Sequence, residues 1–144
     1  MMFPFQITLK SKITSRVASR HSDLILEHIQ GRFAGLDVHN FQKNQYQVSF
    51  KTRLFSGQGS SHILAPINAG SFEVQPFANA IIYKFSMLRT AILFLCFGVL
   101  AILVGQNIVF SLSMSIGGYL IAMLGTFIRL KFFVDKLSRE LEHA

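Results

Sequence analysis

Apolar residues occupy every second position near the start of the chain: Phe3, Phe5, Ile7 and Leu9. A period of two predicts a β-strand with one buried face. Pro4 lies within this segment and lacks a backbone N–H, so the strand is expected at a sheet edge. The apolar period then becomes helical, which predicts a helix over residues 15–30 that Gly31 terminates.

The next fifty residues have the pattern of several short strands. Residues 36–54 alternate around a polar turn at 42–45, which predicts a hairpin. Residues 62–65, 71–74 and 80–85 are further strand candidates, and 57–61 is a glycine–serine loop. A strand, a helix and then antiparallel strands indicate an α+β domain over residues 1–85, in which one helix covers one face of the sheet.

Residues 88–130 form a long apolar run with a single polar interruption. No charged side chain occurs over 90–104 or over 105–128, and Gln106 and Asn107 lie at the midpoint. Each half approaches the roughly 20 residues that a helix needs to cross a bilayer. The sequence therefore predicts, over residues 86–144, an α-helical transmembrane hairpin with spans at 88–106 and 109–130. The alternative is one long buried helix of a soluble protein.

Small residues recur on one face of each predicted span. In the first they are Ala91, Gly98, Ala101 and Gly105; in the second they are Ser111, Ser115, Gly118, Ala122 and Gly125. Small side chains let helix backbones approach closely in lipid. We expect these helix-packing rows to face each other, although one row could instead face another subunit.

The pattern beyond residue 129 predicts a C-terminal amphipathic extension of the second helix. Apolar residues continue at helical spacing while charged residues lie mostly elsewhere: Leu130, Phe133, Val134, Leu137 and Leu141 form the apolar stripe. Three surfaces could cover this stripe: the open face of the sheet, the headgroup layer or a partner protein.

The distribution of charge predicts the orientation in the membrane. Lys84, Arg89, Arg129 and Lys131 flank the two spans, whereas the turn between them carries no charge. Basic residues remain on the cytoplasmic side. We therefore expect a multi-pass protein of the inner membrane with both termini in the cytoplasm. The net charge of +7 then indicates contact with membrane lipid rather than with nucleic acid.

The sequence offers no arrangement typical of catalysis. His21 and His28 share a helix face, but no further metal ligands follow at a suitable spacing. The loop at 57–61 lacks the Lys-Ser/Thr of a phosphate-binding loop. Cys96, the only cysteine, lies within a predicted span. We therefore predict a protein that is not an enzyme and has no metal or cofactor.

Three features of the chain form one pattern: residues 41–50, Pro66 followed four positions later by Gly70, and a strand over 81–85 that leads into an aliphatic hairpin. This pattern resembles that of small uncharacterised bacterial membrane proteins, in which a short α+β domain precedes two spans. The resemblance implies an inner-membrane protein with a cytoplasmic domain, and it assigns no functional residue.

These observations favour a binding role. The leading hypothesis is a small inner-membrane accessory or scaffold protein that docks a partner in a larger membrane complex, or forms a homo-oligomer, through its hairpin and cytoplasmic domain. The alternative is a module that binds lipid or a small apolar ligand in a pocket beneath the helix at 15–30. The two hypotheses differ in whether side chains fill the space under that helix.

Overall fold

A five-stranded antiparallel sheet organises the N-terminal half of the chain. The structure, a computed structural model, describes residues 5–18, 22–34, 38–52 and 66–143. The strands are β1 (Gln6–Lys12), β2 (Val38–Lys43), β3 (Gln47–Thr52), β4 (Ala69–Gln75) and β5 (Ala80–Ser86). Their order across the sheet is β1-β5-β4-β3-β2, so β1 is an edge strand that pairs with β5, the last strand in the sequence.

Within the described residues, four helices accompany the sheet. They are α1 (Ser15–Ala18), α2 (Ser22–Ala34), α3 (Leu88–Leu103) and α4 (Ile108–His143), and a 3-10 turn at Pro76–Ala78 links β4 to β5. This arrangement confirms the α+β class. The strand candidate at 62–65 and the loop at 57–61 lie outside the described residues.

The predicted strands that fall within the described residues are confirmed. β1 is an edge strand, as the early proline indicated, and the pair β2 and β3 forms the expected hairpin. One side chain differs from its expected burial: Phe5 precedes β1 and is 47% exposed, with its ring 6.5 Å from that of Tyr119. The alternating pattern places Ile7, Leu9 and Ser11 on the buried face instead.

The prediction for the first helix is wrong at its C-terminal end. Gly31 does not terminate the helix, because α2 continues to Ala34. Glycine in a helix interior costs about 1 kcal/mol relative to alanine. Phe33, one turn beyond Ile29, is fully buried and contacts the rings of Phe50 and Phe72 at centroid distances of 5.0 and 5.4 Å. This packing outweighs the intrinsic cost of the glycine.

The strand register brings aromatic side chains together on the buried face of the sheet. Phe72 is paired with Val48 on one side and Tyr83 on the other, and Tyr83 is paired with Leu9. Gly70 stands opposite Phe50 and Phe85. A Cβ at Gly70 would lie 2.5 Å from Phe50 Cζ, so the ring of Phe50 occupies the space that a side chain would need.

Two helices, rather than the single predicted helix, cover this face. α2 packs over β2, β3 and β4, while the C-terminal part of α4 packs against β1. The apolar stripe predicted in the tail is buried there through Leu130, Val134, Leu137 and Leu141. The two helices meet where the ring of Phe133 contacts that of Phe33 edge to face at 5.5 Å. Of the three surfaces considered for the stripe, the sheet is therefore the one that covers it.

The apolar half of the chain forms two packed helices of unequal length. α4 has 36 residues and is long and apolar enough to cross a membrane, whereas α3 has 16 residues and is shorter than that criterion. The predicted first span at 88–106 is thus too long, because α3 ends at Leu103 and Gly105 adopts a left-handed φ of +90°. The described residues contain one helix that qualifies as a span by itself, not two.

Candidate interaction surface of the helix pair

Close backbone approach holds α3 against α4. A Cβ on Gly98 would lie 3.0 Å from Ser115 Cβ, and a Cβ on Gly118 would lie 2.7 Å from the ring of Phe94. Ser115 Oγ donates a hydrogen bond to the Phe94 carbonyl oxygen at 2.5 Å. The residue numbers rise along α3 as they fall along α4, so the helices are antiparallel. Small residues and one interhelical hydrogen bond therefore make this contact, which is how helices associate in lipid.

The turn between the helices has its own sequence determinants. Gly105 has a φ of +90°, which a residue with a Cβ adopts only with strain. Asn107 caps α4, because its side-chain Oδ1 accepts a hydrogen bond from the backbone N–H of Val109 at 2.9 Å. Gly105 thus belongs to the turn and not to the packing row in which the sequence analysis placed it. No heavy atom lies within 4 Å of a Cβ built there.

The other predicted packing residues divide into two groups. Ala91, Ala101 and Ala122 are half-buried, whereas Ser111 is buried with 3% of its surface exposed. Gly125 is exposed, and a Cβ built on it meets nothing within 4 Å. Of this second row, Gly125 therefore lies outside the contact.

A groove opens beside this contact. It has a volume of about 530 Å³, and its lining is mostly apolar, with both large and small side chains: Leu93, Phe94, Phe97, Gly98, Ala101, Gln106, Phe110, Ser111, Met114, Ser115 and Gly118. Ser111 Oγ is buried beneath the groove surface and has no hydrogen-bond partner among the described residues. A buried hydroxyl without a partner costs free energy, on the order of 1–3 kcal/mol. An occupant can instead reach the amide of Gln106, which lines the groove and is exposed near the turn.

The outer surfaces of the helix pair are apolar. Among its exposed large side chains are Leu95, Phe97, Leu103, Val104, Val109, Phe110, Ile121 and Leu124. Cys96 is also exposed on this surface. Soluble monomers rarely expose contiguous apolar areas beyond a few hundred Å². A surface of this kind requires either lipid or a protein partner around it.

The four predicted interface cations lie at the domain end of the pair. Arg89 begins α3 and donates a hydrogen bond from Nη2 to the Thr52 carbonyl oxygen at 3.3 Å. Lys84 is on the hydrated face of β5, with Nζ 4.0 Å from a carboxylate oxygen of Glu73. Arg129 and Lys131 are exposed on α4. Together they surround the end of the apolar segment that is remote from the turn.

Two contacts that the sequence analysis missed fix the helix pair to the domain. Thr90 Oγ1 donates a hydrogen bond to the Pro66 carbonyl oxygen at 2.6 Å, and the backbone N–H of Met87 donates to the Phe5 carbonyl oxygen at 2.8 Å. Met87 is also fully buried in the domain core. Both contacts join residues distant in sequence, so no local pattern could have indicated them.

No group of three or more histidine, cysteine, aspartate or glutamate side chains in the described part of the chain could hold a metal ion. His21, one member of the predicted histidine pair, is outside the described residues. Comparisons with protein-family models, with curated proteins and with solved structures find no match for this chain. The resemblance to small bacterial membrane proteins therefore stays a prediction.

Proposed function

We propose that the chain is a small inner-membrane scaffold protein that docks a second transmembrane helix in the groove between α3 and α4. The docked helix comes from a partner in a larger membrane complex or from a second copy of the chain. The helix pair lies in the bilayer as a two-pass hairpin, and both termini and the α+β domain are cytoplasmic. No catalytic step is part of this proposal.

The observation that carries this proposal is the continuity of α4. Residues 108–128 contain no charged side chain and extend about 31 Å, which matches a hydrocarbon core of ~30 Å. The same helix then packs its stripe from Leu130 to Leu141 on the sheet. Because one helix belongs to both parts, a partner bound in the bilayer is held at a fixed distance and orientation from the domain.

The chemistry of the groove favours a helix over a lipid chain. Exposed apolar side chains line it, among them Leu93, Phe97 and Met114. Gln106 is exposed at the end of the groove near the turn and offers an amide, whereas an acyl chain offers neither donor nor acceptor. A polar side chain of a docked helix can pair with this amide. The groove therefore fits an occupant that has both apolar side chains and a polar group.

The domain core also supports the scaffold over the alternative that a ligand binds beneath the first long helix. Ile25, Leu26, Ile29 and Phe33 of α2 are at most 2% exposed. Phe33 packs directly on Phe50, Phe72 and Phe85 of the sheet. Side chains thus fill the space in which the alternative places an apolar ligand.

The test compares two leucine substitutions on α4. Ser111→Leu fills the groove, whereas Ser113→Leu adds the same volume at an exposed position outside it. The protein is extracted from native membranes in a mild detergent, and the mass and composition of the particle are measured. We expect a complex of fixed stoichiometry for the wild type and for Ser113→Leu, and its dissociation for Ser111→Leu.

One outcome would contradict the scaffold role and another the docking site. A wild-type chain that is extracted alone as a monomer with lipid bound would favour the lipid-binding alternative. A complex that persists unchanged in Ser111→Leu would show that the groove is not the docking site. The thermal unfolding midpoint of each variant is measured in parallel, so that loss of the complex is separated from loss of the fold.

A further inference from the structure

A second pocket lies at the opposite end of the apolar segment, between α2 and α4. It has a volume of about 470 Å³, and its lining combines basic and aromatic side chains. Arg32 comes from α2; Arg129, Phe132, Lys136 and Glu140 come from α4. The pocket thus joins a residue of the α+β domain to residues that follow the apolar segment.

The charges in this pocket do not balance. Arg32 Nη2 forms an ion pair with Glu140 Oε2 at 2.9 Å, which neutralises one cation. Arg129 and Lys136 have no acidic partner within the part of the chain that the structure describes. Arg129 and Lys136 are seven positions apart, so they project from the same face of α4. The pocket therefore has a surplus of two positive charges on one side.

We propose that this pocket binds the phosphate of an anionic phospholipid headgroup. Arg129 and Lys136 contact the phosphate, and Arg32 contributes its remaining donors from the side of the domain. Arginine is suited to this role because its planar guanidinium can bind two phosphate oxygens at once. A bound headgroup would thereby link the membrane surface, α4 and the domain.

The position of the pocket favours a lipid over free phosphate. Arg129 directly follows the charge-free residues 108–128, so on the membrane placement proposed above, on which this inference rests, the pocket opens at the headgroup level. Phe132 is 74% exposed beside the cations, at the depth where aromatic side chains contact the boundary between headgroups and acyl chains. A free phosphate ion gains nothing from contact with the apolar ring of Phe132, whereas a phospholipid has both a phosphate and acyl chains.

The test is lipid retention by the full-length protein. The protein is purified in detergent and exposed to phosphatidylglycerol and phosphatidylcholine with identical acyl chains, and bound lipid is counted by native mass spectrometry. We expect a preference for phosphatidylglycerol in the wild type. The double variant Arg129→Gln, Lys136→Gln should reduce that preference by roughly tenfold to thirtyfold, since the charge-assisted hydrogen bonds that both side chains donate to the phosphate are then lost.

The matched control removes the same two charge types elsewhere on the same helix. Lys131 and Arg139 are exposed on α4 and do not line the pocket. The variant Lys131→Gln, Arg139→Gln should retain the preference within about twofold. An equal loss in this control would show that general surface charge attracts the lipid, and the pocket proposal would be overturned.

Two further measurements separate the possible failures. Inorganic phosphate is added as a competitor. If the protein binds phosphate but shows no preference for phosphatidylglycerol, the pocket is a free-anion site and the lipid proposal is wrong. Carbonate extraction establishes whether the wild type is integral to the membrane. An integral protein without a lipid preference refutes this inference alone, whereas an extractable protein refutes the membrane placement itself.

Discussion

The Ser11 hydroxyl on the edge strand β1 lies 2.5 Å from the Ser138 hydroxyl near the end of α4, and both side chains are buried. The two residues are 127 positions apart in the sequence. Their hydrogen bond is a buried polar contact between β1 and the C-terminal part of α4. It adds a directional contact to an interface that is otherwise largely apolar and not directional.

This pair supports a prediction about non-additive stability. Ser11→Ala or Ser138→Ala alone leaves one buried hydroxyl without a partner, which should lower the free energy of unfolding by about 1–2 kcal/mol. The double variant removes both hydroxyls and should lose less than the sum of the two single losses. Denaturant unfolding in detergent measures all four proteins. Strictly additive losses would show that the two hydroxyls do not depend on each other.

The contact between α3 and α4 predicts that leucine substitutions destabilise the pair at Gly118 and Gly98 but not at the neighbouring Gly117. Gly118→Leu inserts a side chain where a Cβ alone would lie 2.7 Å from the ring of Phe94, so it should destabilise the helix pair by about 1–3 kcal/mol. Gly98→Leu should act similarly against Ser115. Gly117→Leu is the control, because a Cβ there meets nothing within 4 Å. Thermal unfolding in detergent gives the midpoint of each variant. Equal midpoints for all three variants would contradict this packing geometry.

Gly31 offers a stabilising substitution. The residue lies inside α2, and a Cβ built on it has no heavy atom within 4 Å. Gly31→Ala should therefore raise the free energy of unfolding by about 1 kcal/mol through helix propensity. Gly70→Ala is the contrasting change, since the ring of Phe50 occupies the space. A loss of stability in Gly31→Ala would indicate that α2 does not continue through this position.

Tyr83 predicts a dependence of stability on alkaline pH. Its hydroxyl is buried without a hydrogen-bond partner among the described residues, and burial raises the pKa of Tyr83 above its ordinary value. The unfolded chain releases this proton near pH 10, while the folded chain retains it, so stability contributed by the neutral form is lost as the pH rises above about 10. Tyr83→Phe should remove this component and should stabilise the fold by about 1 kcal/mol at neutral pH. The measurement compares the unfolding curves of both proteins between about pH 8 and about pH 11, a range that brackets the ordinary tyrosine pKa of about 10.

The orientation of the helix pair is tested by single cysteines in a Cys96→Ala background. Gln106→Cys places a thiol in the exposed turn without removing the Asn107 cap, and Gln45→Cys places one in the exposed turn of the domain hairpin. With both termini cytoplasmic, an impermeant thiol reagent added to intact cells should label position 106 and not position 45. The opposite labelling pattern would invert the proposed topology.

The sequence by itself determined the elements and their chemical character. A period of two predicted the strands around Ile7 and Phe50, composition predicted the strand around Tyr83, and the charge-free residues 108–128 identified a helix able to span a bilayer. Such features are legible because strand and helix periods depend only on local backbone geometry. The spacing of Leu130, Val134, Leu137 and Leu141 likewise predicted an amphipathic continuation of that helix.

Only the tertiary structure decided what these elements contact. It showed that the stripe of α4 covers the sheet beside α2, that α2 continues through Gly31 because Phe33 is buried, and that Gly105 belongs to a turn. It also brought Arg32 next to Arg129 and Lys136. Except for the turn at Gly105, each of these facts depends on residues that are far apart in the chain, and the free energy of their packing does not appear in any local pattern.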